Sequence, residues 1–332
     1  MSKIIYFPFR GNQAGGGPHI FVYKMTQALV KRGYKINYDK PNRADVALGI
    51  IESGKLLKKV NRAKTRVVTR VNGIYNDLYN KKFNRAVRPD MIALHNKLRS
   101  DLGSNGVDHV VYQSQWSYDR ISDEICERKN NYSIIHNGVD VSLFKPSKAS
   151  RNDGFINLGH IAKMRDQYLM ETLIGVYLEL KKNHKVRLIL VGSMDAACSS
   201  VYNKHASDKN IIKYGSVNNS SLPKVYSMLD VFLAVRQGAS CSNIIAEAQA
   251  CSIPLVCPAW GGDQEMVEDG KTGVIVDGGM WDYNNSYIKN LANGVEQVIP
   301  DLDGFRKRAR QHAVKNLTID IMVDKYLKAM GI

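Results

Sequence analysis

The chain has 332 residues, 44% of them hydrophobic and 23% charged, with a formal net charge of +16. That length suits two domains, and that apolar share fills complete cores, which excludes a disordered chain. No apolar run approaches the roughly 20 residues that a membrane span needs. The opening MSKIIYFPFRGN lacks a small-residue cleavage site, so it reads as a buried strand and not as a signal peptide. Five cysteines (Cys126, Cys198, Cys241, Cys251 and Cys257) show no CxxC spacing. They argue for reduced thiols in a cytoplasmic setting, and against a disulfide framework or a structural metal.

The charge is uneven. Residues 1–148 hold 26 Lys and Arg against 12 Asp and Glu, a net +14 of the chain's +16. The window 55–99 alone holds 13 basic and 2 acidic residues. Such a field draws anions to one half of the molecule, and an anionic membrane surface or nucleic acid are the partners considered for 55–99.

Along the chain, strand and helix signals alternate. IIYFPF (4–9) reads as a strand, and the glycine-rich QAGGGPHIF (13–21) leads into a helix over 20–32 that Gly33 stops. Strand patterns follow at 35–38, 46–50, 66–71, 109–114 and 132–136, with a helix expected over 52–64. In that helix Leu56, Leu57, Val60 and Ala63 fall on one side and lysines and arginines elsewhere, so it can rest on an anionic lipid surface or pack on its own sheet. The polar stretch PSKASRNDG (146–154) carries Pro and Gly without hydrophobic period and marks the expected boundary, giving domains 1–148 and 149–332, the second with a C-terminal helix able to pack back on the first. A second series then runs through strands at 155–160, 186–193, 211–217, 231–235, 253–258 and 273–277, with helices over 167–183 and 242–251 and a helical tail over 302–330. The alternation in both halves predicts an α/β chain of two Rossmann-like domains with parallel sheets. Ligands of such sheets bind beyond the carboxyl ends of the strands, in a cleft.

Five stretches carry chemistry. IIHNGVDVSLFKP (134–146) ends a strand on the Asn137-Gly138 turn and stiffens at Pro146. Gly15, Gly16 and Gly17 sit between the first strand and the first helix, where backbone N–H groups can approach an anion; His19 lies on the same loop. NLGHIAKMRD (157–166) places His160, Lys163 and Arg165 directly after a strand. VFLAVRQGASCSNIIAEAQACSIPLVCPAWGGDQEMVEDGKTGVIVD (231–277) carries Glu247 on a helix that Ser242, Asn243 and Ile244 begin. In the first half, Asn72, Gly73 and Asp77 follow a strand and are candidates for acceptor or sugar contact. No GxGxxG fingerprint is present, and no DxD run marks a metal site.

Together these stretches resemble the retaining glycosyltransferases of family 4, the glycosyl transferases group 1, whose fold is GT-B. Asn137, Gly138, Val139, Asp140, Phe144 and Pro146 match the NGVDxxxFxP stretch, and Glu247 matches the second glutamate of Glu-x7-Glu. The resemblance implies that Glu247 receives the ribose hydroxyls of a nucleotide and that the 15–17 loop lies over the donor. It also implies that Arg165 is the main cation on the donor diphosphate; Lys163, close by, and His160, at the position of the family's arginine, are the other catalytic candidates. Two positions depart from the pattern: His160 stands where arginine is usual, and Ala239 stands where the first glutamate binds the donor sugar.

The implied reaction is metal-independent transfer of a sugar, with retention, from a nucleotide-diphosphate sugar to an acceptor hydroxyl. UDP-sugars are favoured over GDP-sugars, and no other cofactor is expected. The expected acceptor is a glycan or a lipid-linked anionic molecule at the inner membrane face. The alternatives are a glycosyltransferase acting on modified bases of viral DNA and a catalytically impaired sugar-nucleotide-binding protein.

Overall fold

A computed structural model describes residues 2–13, 15–51, 54–72, 89–103, 106–146 and 153–332. The chain divides into two compact units: residues 1–138 with 319–332, and residues 139–318.

The first unit is built on β1 (Ile4–Tyr6), β2 (Lys35–Asn37), β3 (Val46–Ile50), β4 (Arg66–Arg70), β5 (His109–Tyr112) and β6 (Tyr132–Ile134). They form one parallel sheet in the order β2-β1-β3-β4-β5-β6. All five residues of β3 are buried, as a strand covered on both faces requires. Val46, Leu48 and Ile50 point to one face, with Phe21, Val22, Met25 and Leu29 of helix Gly17–Lys31 and Met322, Val323 and Tyr326 of the last helix, Ile319–Met330. Ala47, Val67, Val110 and Tyr112 point to the other, against Leu56, Leu98, Leu102 and Ile121. The last helix is also tied by Arg32, which reaches Asp320 at 2.8 Å and Asp324 at 2.5 Å.

The second unit repeats the plan with β7 (Ile156–Ile161), β8 (Val186–Val191), β9 (Ile211–Gly215), β10 (Val231–Leu233), β11 (Leu255–Pro258) and β12 (Gly273–Val276). The order is β12-β11-β10-β7-β8-β9, again parallel throughout. Leu158, Leu188, Leu190, Val231 and Leu233 pack with helices Gln167–Leu180 and Asn285–Val298. Ile161, Ile189, Phe232, Leu255 and Cys257 pack on the other face with Tyr226, Ile245 and Ala313. Two parallel α/β units are therefore what the strand–helix alternation implied.

Three expectations need correction. The units meet at Gly138/Val139 and not near 148, because Val139 already pairs inside the second unit: its amide donates to the Leu317 carbonyl at 2.8 Å and it bridges Thr318. Phe144, 1% exposed, lies in that unit's core. The tail is two helices, Leu302–Asn316 and Ile319–Met330, interrupted where Leu317 and Thr318 make that pairing, and only the second helix belongs to the first unit.

Among the described residues of 52–64, only Gly54–Leu57 is helical. Asn61 opens a separate turn beyond it: its side chain accepts from the Ala63 amide at 3.1 Å, and its carbonyl accepts from the amides of Lys64 and Thr65. Such local side-chain bonding competes with a helix. Leu56, Leu57 and Val60 pack on the unit's own core, so this apolar stripe is not free to lie on a lipid surface.

All five cysteines are free. Among the described residues no helix is long and apolar enough to cross a membrane.

Arg310 locks the start of the second unit. Its guanidinium donates to the carbonyls of Phe144 (2.8 Å), Ala250 (2.7 Å) and Val141 (3.1 Å). Arg310→Met leaves three half-buried carbonyls unpaired, and we expect it to destabilise this unit by about 2 kcal/mol. Urea unfolding checks this; a midpoint equal to that of the parent protein would show that water replaces the guanidinium without loss.

Candidate functional site

The carboxyl edge of the second sheet gathers residues distant in sequence. β10 lies between β7 and β11, so the loops after these three strands leave the sheet side by side. After β7 the chain is pinned to the loop after β8, since Met164 bridges Met194 and its amide donates to the Ser193 carbonyl at 2.8 Å. Lys163 and Arg165 flank this buried methionine and are both exposed. Neither makes a hydrogen bond or ion pair with a described residue.

His160 lies below them in β7, 2% exposed. Its Nδ1 is 2.8 Å from the Leu233 carbonyl, so Nδ1 carries the proton. Nε2 is then an acceptor, buried and without a partner among the described residues. Burial pushes its pKa down, the Leu233 bond opposes this, and the nearby Arg236 pushes the same way as burial. The ring is therefore neutral near pH 7 and brings no positive charge to the position where the resembled family has arginine.

The loop after β10 leads to helix Asn243–Ala250. Ser242 is its N-cap residue but gives no side-chain cap. Instead the Ser242 amide donates to Asp263 Oδ1 at 2.6 Å. Asp263 is 4% exposed; burial raises its pKa, while the Ser242 bonds and Arg236 draw it back down. Asn243 and Ile244 open the first turn and are half-buried. Glu247 faces inward on the second turn, 2% exposed, and accepts from the Tyr226 hydroxyl at 3.4 Å. Gly261, with φ of +138°, lets the next strand's loop press on Ala239, and the Gly262 amide donates to the Ala239 carbonyl at 2.6 Å. A side chain at Gly261 is excluded by that conformation and by the approach of the Ala239 carbonyl, 3.0 Å from where its Cβ would stand.

Arg165, Lys163 and the first turn of helix 243–250 thus share one edge, with Glu247 one turn deeper. Sequence reasoning passed over Arg236 and Asp263. Arg236 follows β10, is exposed, and acts electrostatically on His160, Asp263 and Tyr283; it too has no hydrogen bond or ion pair with a described residue. Its signal was a basic residue directly after the apolar VFLAV run.

The first unit carries its own candidates. Gly16 is the N-cap of helix Gly17–Lys31, without a side-chain cap, and open space surrounds both Gly16 and Gly17. Gly15 is different: a Cβ there would stand 2.4 Å from the His19 Cβ, so its lack of a side chain lets the loop close on His19. The His19 ring packs against Phe9 at 4.7 Å and its Nδ1 lies 3.4 Å from Asn12 Nδ2.

Asn72 accepts from the buried Arg70 guanidinium, which also donates to Gln113 Oε1 at 2.6 Å and Asn137 Oδ1 at 3.0 Å. Asn137 of the NGVD turn is therefore an acceptor for a buried cation at the ends of β4, β5 and β6. Gly73 and Asp77 lie outside the described residues. Among the described residues no group of three or more His, Cys, Asp or Glu is placed to hold a metal ion.

Residues 156–300 match the family described as Glycosyl transferases group 1. An uncharacterized glycosyltransferase of Methanocaldococcus jannaschii is 24% identical over 222 residues, 59% of this chain and 53% of that protein. The capsular polysaccharide biosynthesis glycosyltransferase CapM of Staphylococcus aureus is 25% identical over 154 residues, 45% of this chain and 38% of that one. The chain thus spans about half or less of these relatives. Among solved structures, Anabaena HepE in complex with UDP and glucose aligns over 100% of both chains with a TM-score of 0.69 at 14% identity. Sucrose-phosphate synthase of Thermosynechococcus elongatus aligns over 99% of this chain and 98% of its own, with a TM-score of 0.76 at 15% identity. At these identities the likeness establishes the fold, which is GT-B.

The neutral His160 gives a direct test. His160→Arg buries a cation without a carboxylate partner and is expected to cost about 3 kcal/mol of stability, whereas His160→Gln keeps a neutral side chain and costs less. Denaturant midpoints rank the two; the reverse order would mean that the pocket is built for charge.

Proposed function

We propose that this chain, whose residues 156–300 belong to the glycosyl transferases group 1 family, transfers a sugar from a nucleotide-diphosphate sugar to an acceptor hydroxyl. Retention of anomeric configuration, independence of a metal ion, and a glycan or lipid-linked acceptor are part of the reading. The observation that carries it is the trio Arg165, Lys163 and Arg236: three exposed cations at the carboxyl edge of one sheet, none paired with a described residue, beside the first turn of helix 243–250.

The chemistry follows from charge. When the glycosidic bond to the diphosphate breaks, the sugar becomes oxocarbenium-like and negative charge grows on the leaving oxygens. Preorganised cations and amide dipoles stabilise that charge more than they stabilise the intact donor. Arg165 is suited to this because its planar fork matches two phosphate oxygens. Arg236 supplies from β10 the positive charge that the neutral His160 does not supply from β7. The first-turn amides of helix 243–250 add the positive end of a helix dipole.

Glu247, one turn along, offers a carboxylate to two adjacent ribose hydroxyls. A leaving phosphate oxygen can accept the proton of the acceptor hydroxyl, so the scheme needs no side-chain base. UDP is the proposed nucleotide; HepE, whose fold this chain shares, was crystallised with UDP. Ala239 leaves the donor-sugar hydroxyls without the carboxylate that the family uses, so the sugar's identity rests on other contacts.

A thermal-shift panel of UDP-, GDP- and ADP-sugars tests the reading. A ligand at about 100 times its Kd stabilises the folded form by about 2.7 kcal/mol. We expect a UDP-sugar to raise Tm, Arg165→Ala to abolish the rise, and Arg236→Ala to weaken binding about tenfold. Glu247→Gln, which keeps the buried volume, should lower nucleotide affinity while leaving the unliganded Tm close to that of the parent. Slow release of free UDP from the donor would separate an active enzyme from a sugar-nucleotide-binding protein without turnover. If no nucleotide sugar moves Tm, the proposal fails.

A further inference from the structure

The first unit has a cavity of about 610 Å³ lined by Arg62, Arg66, Arg128, Asp108, Leu57 and Asn131, among others. Its walls come from strand beginnings: β4 starts at Arg66, β5 directly after Asp108 and β6 directly after Asn131. It therefore opens at the amino edge of the sheet, the edge opposite to the one where parallel sheets hold their usual ligands.

Three guanidinium groups line it against one carboxylate. Asp108 is already engaged on both oxygens, by Arg62 Nη2 at 2.7 Å and by the Val67 amide at 2.7 Å. Arg128 is 8% exposed and donates only to carbonyls: Leu102 (3.1 Å), Gly103 (3.3 Å), Val107 (2.8 Å) and Asn130 (3.2 Å). Those bonds engage four of its five N–H groups but bring no negative charge, and a buried cation without an anion is costly. Arg66 is exposed, and its one side-chain bond is a long one, 3.4 Å to the Ala329 carbonyl. Next to them, burial, Arg66 and Arg128 push the pKa of His109 down to about 4, so its ring adds no charge of its own and registers a positive potential. Among the described residues, the four ionised groups of the cavity leave a net +2.

We infer that this cavity is a second anion site, which takes a phosphate monoester group. A doubly charged phosphate matches the net charge; Arg66 offers most of its fork, and Arg62, held by Asp108 (2.7 Å) and the Gly106 carbonyl (3.1 Å), keeps one N–H on each terminal nitrogen for its oxygens. The volume leaves room for the organic body that carries the phosphate. The group can come from a soluble phosphorylated metabolite or from a phosphate monoester lipid headgroup. The inference does not depend on the transfer reaction, since none of these residues lies at the carboxyl edge of either sheet.

Calorimetric titration of the full chain with inorganic phosphate and with glycerol 3-phosphate, at ionic strength held constant with chloride, tests it. Both should bind, and Arg66→Gln and Arg62→Gln should each weaken binding about tenfold. Neither substitution should change the nucleotide-sugar response. Arg128 is left intact because its carbonyl bonds hold a loop. Vesicles containing phosphatidic acid, compared with vesicles of phosphatidylcholine, separate the two sources: co-sedimentation that Arg66→Gln removes points to a lipid, and glycerol 3-phosphate binding without co-sedimentation points to a soluble ligand. The site is refuted if phosphate binds no better than chloride, or if its binding survives in the Arg62→Gln/Arg66→Gln double variant. Binding only to duplex DNA, with no phosphate response, also refutes it.

Discussion

The hydrogen-bonded seating of β10 between β7 and β11 is the constraint on which the candidate site depends. Val231 and Phe232 pair with Leu158 and Gly159 on one side, and Phe232 and Leu233 pair with Leu255 and Val256 on the other. Because all three strands run parallel, their following loops emerge at one edge. Arg165, Arg236 and Asp263 come from those three loops and are neighbours only through this pairing. A one-residue slip would send every side chain of β10 to the other face. Phe232 would leave the core it shares with Tyr226, and Val231 and Leu233 would leave the core they share with Leu188.

His160 shows how the same edge redistributes charge. The ring is held by the Leu233 carbonyl, a residue of the very strand that ends before Arg236. Burying an imidazole there is tolerable because it stays neutral; an arginine would need an anion permanently at hand. Arg236, by contrast, stands in solvent, where a charge without a hydrogen-bonded partner costs little. Asp263 moderates this field from below. Its carboxylate already occupies the Ser242 amide, so only the later amides of the first turn remain open at this helix end.

Much of the fold was legible because buried parallel strands write themselves as short apolar runs. VALGI matches β3 residue for residue, and RVVTRV and VRLILVGS miss only at their ends. The helix over 52–64 was misread because its apolar spacing is genuine but serves a short turn; Asn61 competes for the backbone with its side chain, and periodicity does not register that. The boundary was misread because polar, proline-bearing sequence was taken for the joint. The actual joint is set by non-local pairing of Val139 with Leu317 and Thr318, which no local pattern encodes. Motif matching singles out Arg165 and Glu247 by their spacing in sequence. It passes over Arg236, which belongs to none of the matched motifs and reaches the same edge only through the seating of β10.

The basic excess of the first half becomes less uniform once the fold is known. Arg70 is a buried structural cation, held by Gln113 and Asn137 and covered by the Phe21 ring at 4.1 Å. Arg32 is neutralised by two aspartates of the last helix. Arg128 spends its hydrogens on carbonyls around the turn from helix Pro89–Leu102 to β5. These three contribute to net charge without forming an attractive surface, so composition overstates the free positive field. In the described part of 55–99, Lys58, Lys59, Lys64 and Lys97 are exposed at the surface, whereas Arg62 and Arg66 stand beside a cavity. An anion that answers these two arginines meets a pocket with fixed donors, which selects for shape and for a second negative charge. A flat basic stripe would select for neither.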